Sequence, residues 1–311
     1  MGRVITVTNL KGGIGKTTTV VNLSAGFALR GSRVLLIDTD AQGNLAMALG
    51  VQPRRTLYDV LVDGAKLLDC VSSARPNLDL IAADATLLTA QTEIARRPDW
   101  ARVLDKALAP VRSHYDVILI DSGGSLTLLN VNAISAATDI LVPTTVEPFA
   151  LKGLEVLFQQ LKRIKGNTSA LRAIVPTLYD TRTRQSVELL DTLRERYGNL
   201  VLDPIRVNVR LSECTAEGKT IYEYDPRSRG ALDYAQLVEQ MSTRIQLGPA
   251  TPPPAPIAAP TPLVNGVSAV NNATCPNCGR PLQRASVAGY RILYCDHCKY
   301  RRQELAAGER R

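Results

Sequence analysis

The sequence has 311 residues, room for one large α/β unit and one small appendage. Hydrophobic residues at 45% and charged residues at 21% exclude the disordered and fibrous classes, and no apolar run is long enough for a transmembrane helix. The net charge of +8 is uneven: residues 273–311 hold eight Lys/Arg against three Asp/Glu, which leaves the body only +3.

In chain order, short continuous apolar runs at residues 4–8, 34–38, 78–82, 117–121, 140–143 and 173–177 read as strands covered on both faces. Helical periodicity occupies residues 17–30, 151–165, 185–197 and 230–245. In the last of these, Leu232, Ala235, Leu237, Val238 and Met241 are expected to share the buried side. Alternating strands and helices predict an α/β fold with a mostly parallel sheet flanked by helices, spanning residues 1–247. Residues 248–274 are rich in Pro and Ala and carry no charge, so they read as an extended spacer. Residues 275–311 hold two Cys pairs and a charged end. The opening residues lack the basic-then-apolar pattern of a secretory leader, so a cytoplasmic location is expected.

The first strand runs into Asn9-Leu10-Lys11-Gly12-Gly13-Ile14-Gly15-Lys16-Thr17-Thr18, and a helix follows. This is the spacing of a P-loop, with Leu10 where the first glycine usually stands. Gly12, Gly13 and Gly15 let backbone amides turn inward around phosphate oxygens, and the helix adds its positive dipole end. Lys16 is placed to bridge the β- and γ-phosphates, and the Thr17 hydroxyl to reach Mg²⁺. The pattern therefore implies a P-loop NTPase that takes ATP and Mg²⁺, with Ile14 and Thr18 completing the loop. On spacing alone, Lys11 is equally a solvated loop charge.

The run K-G-G-x-G-K-T-T resembles the signature of the deviant Walker A ATPases, which include ParA partition ATPases, MinD and the nitrogenase iron proteins. The resemblance implies a nucleotide sandwich dimer in which Lys11 reaches across to the partner's phosphates. Residues 34–44, ending Asp38-Thr39-Asp40-Ala41-Gln42-Gly43-Asn44, look like the ParA segment D-x-D-P-Q-G-N with Ala41 for Pro. By resemblance, Asp38 lies near the metal and Asp40 orients the attacking water. Residues 116–121 form the Walker B pattern, so Asp121 is expected to hold Mg²⁺ through a water. Gly123-Gly124 stands where the family has two prolines, which predicts a loop with more freedom in the unfolded state.

The resemblance continues through Glu147-Pro148-Phe149-Ala150-Leu151, Asn208-Val209-Arg210-Leu211-Ser212-Glu213 and Tyr224-Asp225-Pro226. It spans residues 1–245 in unbroken order and favours ParA over its cousins, with Asn208 on the adenine side. It implies an ATP-dependent homodimer that binds DNA without sequence preference and a nucleoid-associated location, while residues 299–305, basic with little apolar face, give no membrane-binding helix, so no membrane contact is expected. It also implies slow hydrolysis stimulated by a ParB-type partner. Candidates for DNA contact are Arg182, Arg184, Arg206, Arg210, Lys219, Arg227 and Arg229. Residues 180–230 hold nine Lys/Arg and nine Asp/Glu, so only folding could segregate a basic face. Positioning of a protein cargo, MinD-like membrane association and ATP-dependent metal or cluster carriage are the alternatives.

Cys275 and Cys278 precede Cys295 and Cys298 by sixteen intervening residues, within zinc-ribbon spacing. Two such turns complete a closed Zn²⁺ tetrahedron, so a structural site in a small zinc-ribbon domain is expected and His297 is not needed as a ligand. Whether the ribbon's basic residues add DNA contacts or dock a protein is open. Cys70 and Cys214 stand alone and read as small buried hydrophobes.

Overall fold

Strands that are apolar on both faces need helices on both sides, and the larger part of the chain is built that way. The computed structural model describes residues 2–248, 274–287, 290–298 and 300–305. The chain divides into two units, Met1–Ala250 and Thr251–Arg311. The spacer expected at 248–274 lies, save its end residues, outside the described residues.

The first unit carries β1 (Arg3–Val7), α1 (Lys16–Leu29), β2 (Val34–Asp38), α2 (Asn44–Ala48), α3 (Leu57–Leu61), β3 (Ser72–Arg75) and β4 (Leu78–Ile81). Next come α4 (Leu87–Ala95), α5 (Val103–Leu108), β5 (Val117–Asp121), α6 (Leu128–Ala136), β6 (Asp139–Thr145), α7 (Ala150–Lys165) and β7 (Leu171–Thr177). It closes with α8 (Arg184–Tyr197), α9 (Val209–Ala216), α10 (Ile221–Tyr224) and α11 (Arg229–Ile245). The sheet order is β3-β4-β2-β5-β1-β6-β7, parallel except for β3, which pairs antiparallel with β4 at one edge. That edge strand was not foreseen, because Ser-Ser-Ala-Arg is short and polar.

Alternate residues of each central strand face opposite layers. Val117 and Leu119 join the core beneath α1 and α11, whereas Ile118 and Ile120 join the core beneath α3 to α6. A third cluster packs Ile140, Val142 and Ile174 against Leu154, Leu157 and Leu161 of α7. In α11 the expected stripe needs correction: Leu232 is 59% exposed, and Ala235 is exposed too. The buried stripe is Ala231, Tyr234, Val238, Met241 and Ile245, joined by Leu237. It keeps the helical spacing but starts from Ala231, and Tyr234 seats its hydroxyl beside that of Thr19 at 3.3 Å.

This topology sets up the site. β1 lies mid-sheet between β5 and β6. In register, Val7 stands opposite Asp121, and Asp121 opposite Asp38. Two carboxylates therefore arrive at the same carboxyl end of the strands at which β1 turns into the P-loop, the usual ligand crevice of an open parallel sheet.

The second unit is a three-stranded antiparallel sheet of β8 (Gln283–Val287), β9 (Tyr290–Tyr294) and β10 (Arg301–Leu305), in the order β10-β9-β8. No helix among the described residues is long and apolar enough to cross a membrane.

Candidate nucleotide site and metal centre

The loop between β1 and α1 needs left-handed backbone at Gly13 and Gly15, with φ of 71° and 85°. α1 begins with no side-chain cap and no acid in its first turn, so its free amides face an open cleft. The cleft has a volume of about 850 Å³ and is lined by Gly12, Gly13, Gly15, Lys16, Thr17 and Thr18. Thr39, Asp40, Gln42, Ser122, Gly123 and Gly124 complete much of the remaining lining. Ile14 is buried and anchors the loop by accepting the Thr177 hydroxyl on its carbonyl at 2.8 Å.

Lys16 is buried, and its ammonium donates to the Lys11 carbonyl at 2.6 Å. Burial lowers its pKa, while Asp121 and Asp40 pull it back up. The Thr17 hydroxyl donates to Asp121 Oδ2 at 2.7 Å. Asp121 Oδ1 is buried and has no hydrogen-bond partner. Asp38 is fully buried and accepts the Asp40 amide at 2.9 Å and the Leu45 amide at 3.1 Å. Burial raises the Asp38 pKa, and the neighbouring Asp121 adds to the rise. Burial likewise pushes Asp121 up to about 7, against the opposing pull of Thr17 and Lys16. A buried acid pair with one oxygen orphaned beside a threonine hydroxyl suits a divalent cation. Asp40 sits at the cleft wall, where its Oδ1 accepts the Gln42 amide at 3.1 Å.

Other predicted residues stand apart from the cleft lining. Lys11 turns its ammonium to Glu147. Asn208 caps α9 by accepting the Arg210 amide at 2.9 Å, and Leu178 and Ser212 line that side of the cleft instead. Sequence reasoning assigned no role to Leu88, Gln91 or Gln42, which also line it. A side chain at Gly124 would put its Cβ 3.1 Å from both Cα and N of Gly12, so the loop after β5 rests directly on the P-loop.

Five of the seven basic candidates are held in ion pairs, four of them with partners nearby in the chain. Arg182 pairs with Asp180 at 2.7 Å, Arg184 with Glu188 at 2.6 Å, Arg210 with Glu213 at 2.8 Å and Lys219 with Glu217 at 2.8 Å. These are exposed pairs that exchange readily. Arg206 differs: its guanidinium grips the mostly buried Asp233, with Nε 3.1 Å from each carboxylate oxygen. Arg227 and Arg229 are exposed, and among the described residues neither makes a side-chain ion pair.

In the second unit, Sγ of Cys275, Cys278, Cys295 and Cys298 lie within 4.8 Å of one another. The pairs Cys275–Cys298 and Cys278–Cys295 stand at 3.2 and 3.5 Å, and all four are free of disulfides. Zn–S bonds of ~2.3 Å in a tetrahedron put sulfurs ~3.8 Å apart, so the cluster fits one ion with a small expansion. Amides of Cys298 and His297 hold the Cys295 thiol down at about 6, while Cys278 and Cys298, sharing hydrogen bonds with the neighbouring sulfurs, are pushed up, so without an ion the cluster keeps protons that metal binding would release. Cys70 and Cys214 are buried elsewhere.

Residues 2–173 match the family described as AAA domain. The chain is 37% identical over 250 residues to the sporulation initiation inhibitor protein Soj of Bacillus subtilis, covering 78% of this chain and 99% of Soj. It is 39% identical over 252 residues to the chromosome partitioning protein ParA of Caulobacter vibrioides, covering 78% and 94%. Among solved structures, cobyrinic acid a,c-diamide synthase of Mycobacterium smegmatis with bound ATP analog and magnesium superposes with a TM-score of 0.69. It is 28% identical and is covered completely by 82% of this chain. With the P-loop, the paired aspartates and these relatives in agreement, the chain belongs to the ParA-type partition ATPases and carries a C-terminal four-cysteine unit.

Proposed function

We propose that the protein is a DNA-partition ATPase that binds Mg-ATP, closes as a dimer on nucleotide, holds DNA in that state and releases it on hydrolysis. The observation that carries the reading is the Thr17–Asp121 bond with the orphaned Asp121 oxygen beneath the P-loop, in register with Asp38. In this reading the amides of residues 12–18 bind the phosphates. Lys16 leaves the Lys11 carbonyl to bridge the β- and γ-phosphates. Thr17, and through water Asp38 and Asp121, would hold Mg²⁺, which when bound neutralises charge on the β- and γ-phosphate oxygens. Asp40, at the cleft wall, orients the attacking water. Lys11 of each protomer reaches the other's phosphates and stabilises transferred charge as an arginine finger does.

Arg227 and Arg229 are the first candidates for phosphate contact, with the exchangeable pairs of Arg182, Arg184, Arg210 and Lys219 behind them. Arg206 serves the fold through Asp233. Cys275, Cys278, Cys295 and Cys298 would hold Zn²⁺ as a closed structural site. A ParB-type stimulating partner and a nucleoid location follow from the same reading.

The test is binding to a non-specific DNA duplex with ATP, with ADP and without nucleotide, at two salt concentrations. Binding promoted by ATP alone and weakened by salt supports the reading. The engagement of five of the seven basic candidates in ion pairs favours a second reading, positioning of a protein cargo by the same cycle. Absence of DNA binding in every nucleotide state would favour it.

A further inference from the structure

Lys11 does not hang free in the single protomer. Its ammonium pairs with Glu147, 136 residues away, and the Thr145 hydroxyl donates to the same carboxylate oxygen at 2.6 Å. The two segments are pinned side by side. Asn9 Nδ2 donates to the Pro143 carbonyl at 2.7 Å, and the Lys11 amide donates to Asn9 Oδ1 at 3.3 Å. The Thr177 hydroxyl contacts both the Ile14 carbonyl, at 2.8 Å, and the Thr144 carbonyl, at 3.2 Å. Asn9 directly and Thr177 as a bridge thus fix the P-loop against the end of β6, so Glu147 meets Lys11 in a prepared position. Both side chains are part exposed, at 53% and 39%, so the pair can open without unfolding anything. Glu147 does not line the nucleotide cleft.

We propose that Glu147 is a cis latch: it holds Lys11 within its own protomer, and the pair must break before Lys11 can cross to a partner's phosphates. The inference rests on the trans role of Lys11 given above. The latch stabilises the monomer and so opposes the closed dimer by the same amount. A two-fold symmetric dimer opens two latches, so the factor for one pair is squared. Exposed ion pairs are worth little singly, which makes the joint shift in dimer dissociation constant about 2- to 30-fold. Glu147 is therefore a positioning residue that sets the protein concentration at which ATP-loaded protomers close.

The test uses the full chain with Mg-ATP and reads the dimer dissociation constant by sedimentation. Nucleotide affinity, measured at dilutions below pairing, serves as the folding control. Glu147→Gln should close at about 2- to 30-fold lower concentration with monomer nucleotide affinity unchanged. In a Lys11→Gln background the same change should have no effect, because the latch then has nothing to hold. Thr145→Val, which removes the hydroxyl that orients the carboxylate, should shift pairing the same way by less. If Glu147→Gln pairs no more tightly than the wild type while Lys11→Gln fails to pair, the latch is wrong and the trans lysine stands. If Lys11→Gln pairs as well as the wild type, the trans-lysine reading fails and the latch fails with it.

Discussion

In the first unit, whole strands vanish from solvent: Val34 to Ile37 and Val117 to Ile120 are all 0% exposed. In the second, the buried side chains among the described residues are Cys275 and Cys295. One unit has three apolar clusters and gathers polar groups at the carboxyl ends of its central strands, where a ligand can use them. The other gathers four sulfurs and has a sheet of three short strands. A ligand should thus be an addition to the first fold and a condition of the second.

The comparison breaks most visibly through Lys16→Ala. Removing the buried ammonium takes away a charge-assisted contact to phosphate, so nucleotide affinity should fall about 10- to 100-fold. Hydrolysis should fall further, by about 10²-fold or more. The fold should survive, because the residue supports a ligand and no core. Titration with a fluorescent ATP analogue beside a thermal melt checks both halves. A variant that binds nucleotide normally would remove the P-loop assignment.

Chelation should produce the reverse outcome. A strong zinc chelator, or Cys278→Ser, should abolish amide protection in β8 to β10 while the first unit keeps its melting transition and ATPase rate. Hydrogen exchange read separately over the two units decides it. Full protection of the sheet after complete metal removal would show that the second unit stands on its own packing.

Asp121→Asn should separate stability from activity. Asp121 has its folded pKa raised to about 7 by burial. A carboxyl raised in this way contributes stability that is present at acidic pH and is lost as pH rises from the ordinary carboxylate range through about 7. At pH 8 without Mg²⁺, the wild type carries two buried acids side by side, and the variant should melt at a higher temperature. Asn can still accept the Thr17 hydroxyl. At pH 4 the two melts should converge. Hydrolysis should be lost in the variant at every pH, and Mg-ATP should stabilise the wild type more. A variant less stable at pH 8 would mean that the acid pair is not a source of strain.

The sequence read well wherever one residue's neighbours in space are its neighbours in the chain. The apolar runs ending in Asp38 and Asp121 announced strands, and the glycines before Lys16 announced the turn. Reading failed where a partner lies far along the chain. Nothing local says that Arg206 is held by Asp233 or Lys11 by Glu147. The polar edge strand Ser72–Arg75 is fixed by pairing with β4, a tertiary fact, and carries no apolar signal of its own. In α11, Leu232 matched the helical period yet faces outward, because Tyr234 and Ala231 set the buried stripe.

Gly124 is the subtlest case and gives the smallest effect. Its place in a Gly-Gly pair suggested loop freedom, but the fold gives a tighter reason. A Cβ there would meet the Gly12 backbone at 3.1 Å, and backbone cannot swing aside as a side-chain tip can. Gly124→Ala therefore has two opposed consequences for stability. It lowers the entropy of the unfolded chain, worth about 0.4–1 kcal/mol in favour of folding, and it lifts the loop off the P-loop by a few tenths of an ångström. These nearly cancel, so the melting temperature should move by only about 1–4 °C. Function has no such compensation. The same shift displaces Ser122 and Gly123 in the cleft lining and presses on Gly12, whose amide is a phosphate donor in the proposed site. ATP hydrolysis in a single turnover should slow by about 2- to 10-fold, a barrier increase of about 0.4–1.4 kcal/mol. An unchanged rate would mean that the loop leaves Gly12 when nucleotide binds, so that the contact belongs to the nucleotide-free protomer alone.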